Sequence, residues 1–118
     1  EDRRIRATIA EVPFAADFDL STLVKPKIPL GLILAGQDIN QIPRFHGQAV
    51  KHFCETCTTI ADMPLAGHGM MQSPLPPLGA TDSIAFQLLR DPPGFERKQL
   101  PALHQKVADF FKQHLTRP

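Results

Sequence analysis

Six consecutive positions, Leu30-Gly31-Leu32-Ile33-Leu34-Ala35, carry no polar side chain, with Pro29 in front and Gly36 behind. A short, continuous apolar run suits a strand buried on both faces, as in a parallel sheet covered by helices. Ile5 to Val12 (IRATIAEV), mixed in polarity and closed by Pro13, predicts a strand before it. Thr58 to Ala61 (TTIA), rich in β-branched residues, predicts a shorter third strand. Elsewhere the period becomes helical. From Pro43 to Phe53, the residues Phe45, Ala49, Val50 and Phe53 recur at helical spacing, and Pro43 suits a first turn. From about Leu100 to Leu115, Leu103, Val107, Phe110, Phe111 and His114 share one side of a final helix. Between the first two strands, Pro13 to Lys27 offers one short helical segment, Leu20 to Val24 after Asp19. Met63 to Gly79, with four prolines and three glycines, reads as a loop.

Strand, crossover, strand, helix, strand, helix is a doubly wound pattern. The expected class is α/β: a partial doubly wound parallel sheet of about three strands with flanking helices, forming a single domain over residues 1–118. An open edge on the first strand is expected unless another segment pairs with it.

Composition narrows the functions open to such a domain. The chain is 42% hydrophobic, which argues against disorder, and 118 residues allow a modest core. A net charge of +1, scattered basic residues with their densest cluster at Arg3, Arg4 and Arg6, and no Trp or Tyr argue against nucleic acid as a partner. No apolar stretch approaches the roughly 20 residues of a membrane span. The opening Glu1-Asp2-Arg3-Arg4 does not read as a signal peptide.

Chemistry concentrates after the second and third strands. Asp38 follows the apolar strand in Gly36-Gln37-Asp38, and about thirty residues later His68 follows the third strand in Ala66-Gly67-His68-Gly69. Loops at the carboxyl ends of parallel strands bring such groups together, and an acid that orients an imidazole prepares it to act as a base. For His68 the plainer alternative is a surface histidine in a turn. For Asp38 it is an Asx turn or the cap of the next helix. Asp17 and Asp19 are reserve acids, and Asn40 is nearby but uncharged. A nucleophile is missing: Ser21, Ser73 and Ser83 lie in no G-x-S-x-G elbow, and no G-x-C-x-G replaces it.

Cys54-Glu55-Thr56-Cys57 closes a predicted helix, whereas a thioredoxin-like motif would open one. His46 and His52 are six residues apart and fall on different sides of that helix, so a zinc set with the cysteines is not expected. A local disulfide or a pair of buried thiols is the expected state, with no metal and no cofactor. His104 and His114 read as surface or interfacial. Met70 and Met71 either line an apolar pocket or pack the core.

Four segments, D-R-R-I-R-A-T-I-A, I-P-L-G-L-I-L-A-G-Q-D-I-N-Q-I-P, A-G-H and A-L-H-Q-K-V-A-D-F-F-K-Q-H-L, together resemble the last part of an α/β-hydrolase. They are most similar to the dienelactone-hydrolase-like group of esterases. The resemblance implies that His68 is the base and Asp38 the acid of a catalytic triad, with a serine or cysteine nucleophile outside this chain. The family's acid usually stands three residues after the glycine, where this chain has Ile39, so Asp38 is one place early. The implied substrate is a small-molecule ester or lactone. The implied partner is an amino-terminal hydrolase portion or a second copy of the chain. The alternative function is a non-catalytic hydrolase-like module for binding or assembly.

Overall fold

The computed structural model describes residues 2–79 and 81–116. Three parallel strands, β1 (Thr8–Glu11), β2 (Leu30–Ala35) and β3 (Thr58–Met63), form one sheet in the order β1-β2-β3. β2 is central, and its apolar run is explained by cover on both sides. Leu32 and Leu34 pack with Ala15 and Val50 on one face, while Ile33 and Ala35 pack with Ala66, Met70, Leu100 and Leu103 on the other. Leu32, Ile33 and Leu34 are almost completely buried, each contributing about 1.5–3 kcal/mol through removal of apolar surface from water.

β1 begins three residues later than the sequence suggests. Its first partner is Leu30, and the Thr8 amide already bonds to the Pro29 carbonyl. Pro29 has no amide to donate, so regular pairing starts just beyond it. β3 runs two residues further than expected because Asp62 and Met63 continue the pairing with Leu34 and Ala35. A register irregularity between Leu32 and Ile33 precedes this extension.

The helix expected from Pro43 to Phe53 is broken in two, a 3-10 turn at Pro43–Phe45 and α1 at Gly47–Phe53. The break is at His46, whose Nδ1 accepts a hydrogen bond from the Ala15 amide at 3.0 Å and whose ring stacks on Phe14. That tertiary contact overrides the helical period. Leu20–Leu23 is a 3-10 turn rather than an α-helix, capped by Asp19, which accepts from the Ser21 amide. A short helix, α2 (Ile84–Leu89), has no counterpart in the sequence reading, and Ser83 caps it by accepting from the Phe86 amide. The last helix, α3 (Leu100–Leu115), has the bounds that its periodicity indicates and buries Leu100, Leu103 and Phe110.

Cys54 and Cys57 form a disulfide between the end of α1 and the start of β3. Among the described residues no helix is long and apolar enough to cross a membrane.

Candidate active site

The carboxyl ends of β2 and β3 are level, since Ala35 pairs with Met63. Two backbone bonds carry the pairing past the strands, from the Gly36 amide to the Met63 carbonyl and from the Gln37 amide to the Ala66 carbonyl, both 2.9 Å. Gly36 permits this closeness: a Cβ there would lie 2.5 Å from the Pro64 carbonyl oxygen. The two loops therefore leave the sheet side by side, and His68 Nδ1 meets Asp38 Oδ2 at 2.9 Å.

Each group is held differently. Asp38 makes its own turn, with Oδ1 accepting from the amides of Asn40 at 2.8 Å and Gln41 at 2.9 Å. The Asx turn and the partnership with histidine are thus compatible, because a carboxylate has two oxygens and each serves one of them. The Asp38 side chain is fully buried. A buried carboxylate needs every available donor, and this one has three. As it only accepts, the ring proton sits on His68 Nδ1. Nε2 is left as the basic nitrogen and has no hydrogen-bond partner among the described residues.

His68 is about a quarter exposed and lines a cavity of about 140 Å³ with Gln37, Asn40, Gly67, Leu88 and Pro92. Its loop rests on the end of α2 and the segment that follows it. A Cβ at Gly69 would come within 2.6 Å of the Leu89 Cα, and one at Gly67 within 2.9 Å of the Pro92 ring. Neither glycine has the positive φ of a left-handed turn, so close packing is what these positions require.

The reserve acids are occupied elsewhere or open to solvent. Asp19 bonds to the Ser21 amide and hydroxyl, which hold its carboxyl below the usual range, and Asp17 is exposed. Met70 is wholly buried in the core under α3, so it packs the fold and does not line the cavity at His68. His114 packs its ring on Phe110, and His104 is exposed. Among the described residues no three His, Cys, Asp or Glu side chains gather closely enough to hold a metal ion.

Two residues near the site escape a reading of sequence alone. Glu11 ends β1 on the same sheet edge as the two loops, and the strand's two-residue period puts its side chain on the face of Ile9, which packs against the core beneath the His68 loop. Loss of surrounding water raises its pKa, and the charge of protonated His68 opposes that rise. Its place after Ala10 in a mixed strand carries no motif. The other is Arg97, which reaches the His68 loop from the start of α3.

Compared with known protein families, with curated proteins and with solved structures, the chain has no significant match.

Proposed function

We propose that this chain supplies the acid and the base of a hydrolase of the α/β-hydrolase type, acting on ester or lactone bonds. The observation that carries this reading is the 2.9 Å bond between buried Asp38 and His68, which leaves the other imidazole nitrogen unpartnered beside a cavity. In acyl transfer His68 Nε2 takes the proton of an attacking hydroxyl or thiol and later returns it to the leaving group. Asp38 holds the tautomer that makes this possible and stabilises the imidazolium. A cavity of about 140 Å³ suits a small acyl or alcohol group.

The nucleophile comes from another segment. Ser21 donates to Asp19, Ser83 donates to the Leu78 carbonyl while capping α2, and both cysteines are bonded to each other. Ser73 is exposed, with no elbow to direct it. Among the described residues β1 pairs only with β2, so its outer edge is open to a further parallel strand. Such a strand would end beside the two loops, where a nucleophile is needed. These committed hydroxyls also favour a second reading, a hydrolase-like module that binds or assembles without turnover.

Hydrolysis of an aryl ester separates the two. The 118-residue chain should be inert. The full-length product of its gene should hydrolyse the ester, and His68→Ala should lower kcat about 10³-fold or more in protein that is still folded at the assay temperature, although less stable for the donor that buried Asp38 loses. An inert full-length product supports the binding module. Robust turnover by the 118-residue chain, lost on His68→Ala, removes the need for an outside nucleophile and overturns the first reading.

A further inference from the structure

His68 hangs in a long, proline-rich connection. β3 ends at Met63 and α2 does not begin until Ile84. Within this stretch the loop after His68 has two short-range backbone bonds, Met70 amide to Gly67 carbonyl at 3.3 Å and Gln72 amide to Gly69 carbonyl at 3.1 Å. Bonds of this kind shape a turn, and the backbone tie to the neighbouring Asp38 loop, from the Gln37 amide to the Ala66 carbonyl, lies before His68 and leaves the Gly69–Gln72 side unheld by it.

Arg97 provides the longer reach. It opens the 3-10 turn Arg97–Gln99 that leads into α3, whose Leu100 and Leu103 are anchored in the core. Its guanidinium donates in two directions. Nε and Nη2 hold the two oxygens of Asp91 at 2.7 and 2.9 Å. Nη1 donates to the Gln72 carbonyl, and Nη2 also reaches the Gly69 carbonyl at 3.3 Å. One planar group thus joins the chain just beyond His68, the stretch after α2 that holds Asp91, and the turn that leads into α3. Arg97 and Asp91 side chains are only 25% and 28% exposed, so these charge-assisted bonds are partly shielded from competing water.

We propose that Arg97 is a positioning residue: by tying the Gly69–Gln72 loop to Asp91 and to α3, it keeps His68 Nδ1 on the Asp38 carboxylate. The inference rests on the proposed function only in taking His68–Asp38 as the working pair. Lysine cannot replace arginine here. An ammonium is a compact charge that cannot hold a carboxylate by two parallel bonds while reaching two carbonyls beyond it. Asp91 is the counterpart that aims the fork, so its loss should weaken the same link to a lesser degree.

Nuclear magnetic resonance of the 118-residue chain tests this without any enzymatic assay. The quantities are solvent exchange of the His68 Nδ1 proton and of the Gln72 amide, compared with amides of β2. In Arg97→Lys, both loop protons should exchange at least about tenfold faster while the β2 amides keep their protection; Asp91→Asn should give a smaller change in the same direction. Unchanged loop exchange in Arg97→Lys overturns the proposal. So does an equal acceleration of loop and β2 amides, which would make Arg97 a contributor to overall stability alone. If Arg97→Lys does not fold, Asp91→Asn decides by the same comparison. Exchange is read independently of hydrolysis, so failure of the ester assay would leave this result standing, and the reverse holds too.

Discussion

The loops that carry Asp38 and His68 leave neighbouring strands at the same edge, yet they are built on opposite principles. Asp38 is defined locally: within three residues it accepts from two amides of its own turn, at Asn40 and Gln41. His68 is defined at a distance. Its loop depends on Leu89, on Pro92 and on Arg97, which stands 25 residues beyond Gln72. The acid needs little more than its own turn and a strand end, whereas the base needs the rest of the domain folded around it. If the two act as the proposed acid and base, this division has a use. A rigid acid gives a fixed reference, and the base can be tuned or loosened through contacts the acid does not share.

Removing the acid should have the largest effect. Asp38→Ala leaves two backbone amides and the His68 ring without their buried acceptor, and should destabilise the chain by about 2–4 kcal/mol in urea unfolding. Asp38→Asn separates geometry from charge. Its carbonyl oxygen can still accept from Asn40 and Gln41, so stability should fall by less than about 1 kcal/mol. Its amide, however, presents a donor to His68 Nδ1 and drives the ring proton to Nε2. Nitrogen-15 shifts of the ring read that tautomer directly. A ring that keeps its proton on Nδ1 in Asp38→Asn would show that the carboxylate does not set it, and the acid would lose its orienting role.

A smaller effect is expected from Gly69→Ala, which attacks the base loop alone. The new methyl would lie 2.6 Å from the Leu89 Cα and 2.7 Å from its carbonyl oxygen, and backbone cannot move aside as a flexible side chain can. Overpacking of this kind costs about 1–3 kcal/mol. The sharper signature is spatial. Chemical-shift changes should spread to Leu89 and to Gln72, and the Asn40 and Gln41 amides should keep their protection. If the Asp38 turn loosens to the same extent, the two loops form one unit and the contrast between them fails.

The same division governs what could be read from sequence. β2, α3 and the turn after Gly36 were legible because their determinants are contiguous: an unbroken apolar run, a 3.6-residue period, a glycine followed by a carboxylate. That His68 would meet Asp38 was legible from their places after neighbouring strands, although the role of its flanking glycines was not. They accommodate the end of α2 and the chain that leaves it, and α2 itself was missed because six residues, IAFQLL, give too short a window for a period. The break at His46 was hidden because its cause, the amide of Ala15, lies 31 residues away. Arg97 and Glu11 carry no local pattern at all. Each matters through what the fold brings beside it.

Glu11 offers the smallest effect and tests whether the base loop is also linked to β1. Its pKa is raised in the folded chain by loss of water, and the charge of protonated His68 partly offsets that rise. A raised carboxyl pKa means that the folded state holds the proton more tightly than the unfolded one. Stability therefore falls as pH rises from the ordinary glutamate value, roughly 4.3, through the raised value, and stays lower above it. Glu11→Gln removes a charge that the fold disfavours, so it should be more stable than the parent at pH 7 and indistinguishable from it near pH 4. The gain should stay below about 1 kcal/mol, because the side chain remains in contact with solvent that screens it. In a His68→Gln background the positive charge that holds the Glu11 pKa down is gone, and the window over which stability falls should extend to higher pH. Urea midpoints at several pH values for the two single variants and the double variant measure this directly. A Glu11 window that ignores His68 would mean that the two residues do not share a field, and β1 would then play no electrostatic part in the base loop.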